Sequence, residues 1–216
     1  MRSRVWLCAV GVPGCFLLAS CAARVEVPEP ESVEQVEQFS VWAAERSEPY
    51  GVPERALRSY AFAAWTVQQE SGCQVGWPTM AALGKVLSDH GEAQGSQVAE
   101  DGVTTVALRG LGTALGPEAI VADTDGGETD GDSTRDVPVG PMQIMPSRWE
   151  QFRLSTEPGK EPNPDDIDDA ALTMASIVCK GGDLSTPEGW DRGMISVVDD
   201  MEKVKEIHRV SKEFSR

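Results

Sequence analysis

Apolar residues recur at helical spacing in several segments of this chain, and proline or glycine bounds each of these segments. Between Pro53 and Glu70 the apolar stripe consists of Leu57, Tyr60, Ala61, Ala64 and either Val67 or Gln68. After Pro78 the same period continues with Met80, Leu83 and Leu87. Residues three or four positions apart share one face of an α-helix. The spacing therefore predicts a chain built mainly from amphipathic α-helices.

Start and stop signals set the approximate bounds of these helices. We expect helices over residues 32–46, 53–70, 78–87, 146–152, 165–179, 186–198 and 199–214. Residues 91–139 differ, because they are rich in Gly, Asp and Thr and show little periodicity. A long irregular stretch inside a compact domain is usually functional or disordered. The sequence thus predicts one mainly α domain over residues 32–216, with a long irregular Gly- and Asp-rich insertion.

The first twenty residues have the features of an export signal. Arg2 and Arg4 give a positive start, and the mostly apolar run from Val5 to Leu18 is too short to span a bilayer comfortably. The run ends in LASC, which resembles the lipobox of bacterial lipoproteins, where the cysteine, here Cys21, becomes lipid-modified. We therefore expect an exported protein that two or more acyl chains anchor to the outer face of the cytoplasmic membrane.

On this interpretation, residues 1–20 are a signal peptide and residues 21–31 are a Pro- and Glu-rich tether. Ordinary cleavage near Ala22 or Ala23, with a soluble product, is the alternative. Removal of residues 1–20 takes away two of the 19 basic residues and none of the 35 acidic ones, which leaves a net charge of 17 − 35 = −18. That charge argues against nucleic acid as a partner and against electrostatic attachment to anionic lipid.

Cysteine usage also fits an exported protein. Of the five cysteines, Cys8 and Cys15 leave with the signal and Cys21 would carry the lipid. Cys73 and Cys179 remain, and a disulfide is the default for one pair in an oxidising compartment. A zinc site is not expected, because the chain has two histidines and no CxxC or HxxxH pattern.

The segment DTDGGETDGD, from Asp123 to Asp132, concentrates acidic residues. Its candidate cation ligands are Asp123, Asp125, Asp130 and Asp132. Calcium is one interpretation, because hard cations bind several carboxylates. An EF-hand loop needs an acid or amide at its fifth position and Gly at its sixth, whereas Gly127 and Glu128 stand there. A solvated acidic turn without a cofactor is therefore the favoured interpretation.

Three stretches carry the chemistry: residues 84–91 (GKVLSDHG), 139–149 (VGPMQIMPSRW) and 183–198 (DLSTPEGWDRGMISVV). In the second, Gly140 and Pro141 force a turn, and the Gln143 amide offers both a donor and an acceptor. Such a turn suits recognition of a sugar acetamido group. A loop glutamine whose amide is satisfied within the protein is an equal alternative.

VGPMQIMPSRW resembles the Gly-x-Met-Gln-x-x-Pro-x-x-Trp motif of the lytic transglycosylases, which belong to the lysozyme-like superfamily and cleave peptidoglycan. Further blocks resemble the exported murein transglycosylase type: VPERALRSYAFAA, SGC, AALGKV-SDHG, DTDGG-x-x-DGD, DIDDAAL and GGDLSTPEGW. Together they cover roughly residues 53–190. The resemblance implies a lysozyme-like fold and peptidoglycan glycan strands as partner. It implies a cleft lined by Gly140, Met142 and Gln143, and a disulfide between Cys73 and Cys179.

In that family one Glu at the C-terminal end of a helix, followed by Ser, protonates the glycosidic bond. The same carboxylate then acts as base, so that the sugar's 6-hydroxyl closes a 1,6-anhydro ring. Carried over residue by residue, the Glu falls on Leu87 and the Ser on Ser88, which we expect at the substrate. The family's cleft-lining Ala-Tyr-Asn falls on Ser196, Val197 and Val198, and STEPGKEPNPD replaces its EF-hand-like loop. The resemblance therefore implies impaired catalysis.

Three functional hypotheses follow. The first is a membrane-tethered transglycosylase-like protein that holds a glycan strand but cleaves it poorly or not at all. The second is a working enzyme with Asp89 or Glu92 as substitute acid, since His90 is a weak donor towards an acetal oxygen at neutral pH. The third is an interaction lipoprotein that keeps only the scaffold and turns its acidic surface towards a protein partner.

Overall fold

The computed structural model describes residues 32–112, 114, 115 and 120–216, with side chains from Gln38 onward. The expected signal peptide, the tether and Cys21 lie outside the described residues. The helices are α1 (Ser32–Tyr50), α2 (Glu54–Ser71), α3 (Trp77–Ser88), α4 (Pro146–Phe152), α5 (Ile167–Cys179), α6 (Pro187–Ile195) and α7 (Met201–Phe214). The strands are β1 (Val121–Ala122) and β2 (Arg135–Asp136), and a short 3₁₀ turn covers Ala93–Gly95. The predicted mainly α class is confirmed.

Helix α5 lies at the centre of the molecule, and ten of its thirteen residues are buried. Helix α2 packs along it, while α3 packs against α2 on one side and α7 on another. The predicted stripe of α2 is confirmed as its inner face, with Val67 buried and Gln68 exposed at the position left open. Because α5 is covered by α2, α4 and α6, its sequence is apolar nearly all round, as a buried helix requires.

The contact between α2 and α3 depends on a glycine. A Cβ atom on Gly84 would lie 2.0 Å from the Tyr60 hydroxyl oxygen. Tyr60 is fully buried, so its ring has no room to withdraw. Gly84 therefore sets how closely α2 can approach the C-terminal half of α3, which ends in the first of the three stretches described above.

Helix bounds differ from the predicted ones by a few residues, most clearly at α6. The predicted helix over 186–198 ends at Ile195, and the chain turns before α7 begins at Met201. The backbone N–H of Asp199 donates to the Ala114 carbonyl at 2.9 Å, which ties this turn to the irregular region. A long-range contact of this kind is invisible to local periodicity. The turn matters below because it forms one edge of a cavity.

The acidic residues at the start of α5 complement the helix dipole, and they also have specific partners. Asp166 is the N-cap and accepts a hydrogen bond from the Asp168 N–H at 2.8 Å. Asp165 accepts two hydrogen bonds from the Arg109 guanidinium, at 2.6 and 2.8 Å. Asp168 pairs with Arg55. These contacts attach the irregular region and α2 to the central helix.

The described residues between 91 and 139 are largely irregular, as predicted, but hydrogen bonds and short strand pairings hold much of their path in place. β1 and β2 pair antiparallel, with Val121 opposite Asp136. Isolated β-bridges join Val139 to both Arg109 and Ile144. The acidic turn is thus the connection between two short paired strands, which no periodicity in the sequence indicated.

The predicted disulfide is confirmed. Cys73 follows α2 and Cys179 ends α5, and their Cα atoms are 5.9 Å apart across 106 positions of sequence. The bond therefore joins the C-terminal ends of the two helices that pack most extensively. None of the helices in the described part of the chain is long and apolar enough to cross a bilayer.

Candidate functional site

The turn at residues 139–144 requires glycine at its second position. Val139 and Ile144 exchange backbone hydrogen bonds of 2.9 and 3.0 Å across it. Gly140 has a φ of 71°, and a Cβ atom there would lie 1.7 Å from the Pro164 carbonyl oxygen. Left-handed backbone and the close approach of a second chain segment both exclude a side chain. The role of Gly140 is thus to close the turn against the segment before α5.

Gln143 is held within the protein. Its side chain is 1 % exposed, and its backbone is left-handed with a φ of 48°. Its Oε1 accepts from the Leu111 N–H at 2.9 Å, while its Nε2 donates to the Gly140 carbonyl at 2.9 Å. The amide therefore clamps the irregular region onto the turn, which is the alternative that the sequence left open. Met142 is fully buried in the core and anchors the same turn.

The end of α3 is joined to this turn by Ser88. Its hydroxyl donates to the Pro141 carbonyl and accepts from the Gly91 N–H at 2.8 Å. Ser88 is buried, so it positions two backbone segments and does not face solvent. The first two of the three stretches predicted to carry the chemistry therefore lie side by side, as their presence in one site would require.

Leu87, the position of the family's Glu, is 0 % exposed and belongs to the hydrophobic core. The proposed substitute acids point elsewhere. Asp89 is exposed, caps α3 in left-handed conformation and pairs with Lys85. Glu92 is exposed on the following turn.

His90 is buried next to the end of α3, where the sequence suggested a polar cap. Its Nδ1 lies 3.3 Å from the Tyr60 hydroxyl, and its Nε2 has no hydrogen-bond partner among the described residues. Burial lowers the pKa of His90 from 6.5 to about 4, and the nearby Lys85 ammonium adds to that effect. Burial also raises the pKa of Tyr60 far above its ordinary value. Both rings are therefore neutral near pH 7 and belong to the interior.

A cavity of about 170 Å³ opens beside the turn. Its described lining residues are Leu115, Val121, Gln143, Ile144, Met145, Ser147, Arg148, Met174, Ile177, Ile195, Ser196, Val197, Val198 and Asp199. The lining includes residues of the Gln143 turn, in the second predicted stretch, and of Ser196–Val198, at the end of the third. These two segments therefore meet at one cavity. Met174 and Ile177 of α5 are buried side chains, and Ile195 at the rim is 54 % exposed. Leu87, Ser88, Asp89 and Glu92 are not among these lining residues.

Two charged residues that line the cavity were not predicted from the sequence. Arg148 is exposed in the first turn of α4, two positions after the proline of the motif. Asp199 is exposed directly after Ser196–Val198. The sequence could have pointed to them, because Arg148 lies near the end of the stretch 139–149 and Asp199 directly follows the stretch 183–198. Asp166, whose carboxyl pKa burial raises to about 6, caps α5 and is not one of the lining residues described here.

The acidic turn brings together a different set of aspartates from the one expected. Asp123 and Asp125 lie with Asp136, and one carboxylate oxygen of each is within 4.8 Å of the others. Asp136 is buried and accepts from the backbone N–H and the hydroxyl of Thr124, at 2.9 and 2.6 Å. Asp130 and Asp132 lie outside this triad and accept from nearby backbone N–H groups, Asp130 from Val137 at 2.7 Å. The carboxylates of the turn thus organise its own backbone. A cation would share the Asp123, Asp125 and Asp136 oxygens with these donors.

Comparison with known proteins returns no match: no family model, no curated protein and no solved structure is significantly similar to this chain. The function must therefore be argued from the site itself.

Proposed function

We propose that this protein is a lytic-transglycosylase-like lipoprotein of the cell envelope that binds peptidoglycan glycan strands and cleaves them poorly or not at all. In this proposal the described helices form a lysozyme-like domain, and Cys21 carries the lipid that holds it at the outer face of the cytoplasmic membrane. The cavity beside α4 is part of the groove in which the strand lies.

One observation carries the proposal. Two of the three stretches named above line one cavity, the third stretch through its last residues, Ile195–Val198, and the first stretch is hydrogen-bonded to the Gln143 turn through Ser88 and Pro141. Residues far apart in sequence thus come together as a sugar-binding groove would require. The cavity has an apolar floor and a few polar groups, which is the usual composition of a small-molecule site.

Impaired cleavage is supported by the chemistry available at the expected position of the acid. A leucine side chain has no proton to donate, and loss of a positioned general acid typically costs a factor of about 10²–10⁴ in rate. Leu87 is packed in the core. Asp89 is exposed and already paired with Lys85.

Binding is tested by retention of the purified full-length protein on sacculi. Ser147→Trp places a large ring on an exposed lining position, and we expect it to reduce retention at least about tenfold, because it fills the cavity. Ser133→Trp, in the exposed part of the acidic turn, is the matched control and should bind like the wild type. Equal retention of both variants, or no retention of the wild type, would contradict glycan binding at this cavity.

Cleavage is tested by restoring the acid. We expect Leu87→Glu to release 1,6-anhydro-muropeptides from sacculi, and Leu87→Gln, which has similar shape and no acid, to release none. Folding of both variants is checked by circular dichroism and by sacculus retention. If folded Leu87→Glu releases no anhydro products, the groove has lost more than its acid.

A second candidate function is slow cleavage that uses another carboxyl, and Asp199 is the specific reason to consider it. Asp199 lines the cavity with Gln143, whereas Asp89 and Glu92 do not. Clearing of peptidoglycan by the wild type in a zymogram, abolished by Asp199→Asn, would establish this enzyme. Loss of clearing in Asp89→Ala or Glu92→Ala would instead support those residues. We expect no clearing by the wild type.

A further inference from the structure

One cationic and one anionic side chain line the cavity, and they do not form an ion pair with each other. Arg148 and Asp199 both line it and both are exposed. No ion pair joins Arg148 to any residue in the described part of the chain. By contrast, Arg55 and Arg109 pair with Asp168 and Asp165 to hold the fold together.

Other exposed cations of the described residues, such as Arg192 and Lys212, also form no ion pair, and Arg148 is the cation among the described residues that line this cavity. Acidic residues outnumber Lys and Arg by 35 to 19, so a cation has many carboxylates to choose from. A guanidinium is a planar fork of N–H donors that matches a carboxylate in two parallel hydrogen bonds. Placed at the mouth of a cavity with an apolar floor, it is available to a ligand that carries its own carboxylate.

We propose that Arg148 recognises a carboxylate attached to a sugar ring, namely the lactyl carboxylate of muramic acid in a peptide-free glycan strand. This inference rests on the proposed function, since it names which form of the strand the groove prefers. Asp199 lines the same cavity and repels that carboxylate, so it opposes the attraction of Arg148. Neutral N-acetylglucosamine polymers offer no group for Arg148.

The ligand chemistry also places the protein in a reaction sequence. In intact peptidoglycan the lactyl carboxyl is consumed in an amide bond to the stem peptide. A free lactyl carboxylate arises only when that amide is hydrolysed. The class of reaction that supplies the preferred ligand is therefore amide hydrolysis between muramic acid and its peptide.

The test compares two tetrasaccharides by calorimetric titration of the full-length protein: neutral chitotetraose, and a peptide-free strand fragment with free lactyl carboxylates. We expect the wild type to bind the acidic ligand about threefold to tenfold more tightly, because the ion pair is exposed and bidentate. The preference should shrink between about 50 mM and about 500 mM salt.

Removal of the cation and removal of the anion should change the preference for the acidic ligand in opposite directions. Arg148→Gln should remove the preference for the acidic ligand, whereas Asp199→Asn should increase it. Arg209→Gln is the matched control, because Arg209 is an exposed arginine of α7 outside the cavity lining and pairs with Glu213.

The outcomes separate the two proposals. If the wild type binds both ligands equally, or if Arg148→Gln keeps the preference, the inference about Arg148 is overturned while glycan binding stands. If neither ligand binds, the proposed function itself is overturned. If Arg209→Gln loses the preference as Arg148→Gln does, the effect belongs to net charge and the assignment to Arg148 is wrong.

Discussion

At the scale of single residues, the candidate site is shaped by side chains that face inwards. Gln143, Ser88 and Met142 were expected at the substrate, and all three are buried, where they hold one turn in place. The sequence indicated which residues belong together, because the resembling stretches carry them in order. It could not indicate which way each side chain points, because that depends on partners such as Leu111 and Pro141.

Gly140 gives a direct test of the turn. Gly140→Ala should lower the free energy of unfolding by about 3 kcal/mol or more, because the new methyl group meets the Pro164 carbonyl. Gly159→Ala is the control: its φ is 80°, but nothing lies within 4 Å of the added atom, so about 1 kcal/mol is expected. Urea unfolding measures both, and equal losses would show that the close approach is absent.

His90 predicts a pH dependence. Its folded-state pKa of about 4 lies below the unfolded value of about 6.5, so the unfolded chain takes up the proton first as pH falls. The His90 contribution is fully present above pH 6.5 and is lost towards pH 4, by as much as about 3 kcal/mol. His90→Asn, which suits the left-handed backbone, should have a flatter profile between these values.

The control for this experiment is the other histidine. His208 is exposed on α7, so His208→Gln removes one imidazole from the surface, and the change of profile in His90→Asn should be the larger of the two. Carboxylates contribute equally to all three proteins, so only the difference between profiles is attributed to His90. Parallel profiles for the wild type and His90→Asn would show that the ring is not buried as described.

At the scale of elements, periodicity together with start and stop signals predicted each helix of the described residues, while partners elsewhere in the chain decided where the helices end. α1 runs on to Tyr50 with Pro49 in its last turn, where the missing N–H removes a single hydrogen bond. α5 starts at Ile167 because Asp165 and Asp166 are engaged by Arg109 and by the cap. β1 and β2 are two residues each, too short for an alternating pattern.

Asp169 tests how α5 is attached to its surroundings. It is buried and accepts from the Thr156 N–H and hydroxyl, at 2.7 and 2.9 Å, and from the Asn163 N–H at 3.0 Å. Asp169→Ala leaves those donors unpaired and should cost about 3 kcal/mol in urea unfolding. Asp191→Ala, on the exposed face of α6, should change stability by at most about 0.5 kcal/mol. A similarly small loss at both positions would refute the attachment.

At the scale of the whole molecule, composition and cysteine usage were informative because they depend on no local geometry. The disulfide was predicted from the residues and is present. The resemblance implied a cleft lined by Gly140, Met142 and Gln143, and of these three Gln143 lines the cavity, whereas Gly140 and Met142 are not among its described lining residues. The difference arises because the cavity forms where α4, α5 and the turn after α6 meet. Charge patterns along the chain likewise gave no hint that Arg148 and Asp199 would face the same space.

The disulfide makes a global prediction. It closes a loop across 106 positions, so replacing both cysteines by alanine should cost up to about 4.7 kcal/mol in the chain-entropy model. Dithiothreitol should bring the wild type to the stability of the double variant and leave that variant unchanged. If full reduction leaves the unfolding midpoint of the wild type unchanged, the bond adds nothing to stability.

The complete burial of Leu87 also determines the protonation state of a carboxylic acid introduced at this position. Moving an ionised carboxyl from water into an apolar interior is so unfavourable that the group keeps its proton instead. A glutamic acid at this position would therefore be neutral at physiological pH, which is the form a donor to a glycosidic oxygen needs. The packing around Leu87 would thus hold a new acid in its protonated form, at a position that lies in the core and away from the described residues that line the cavity.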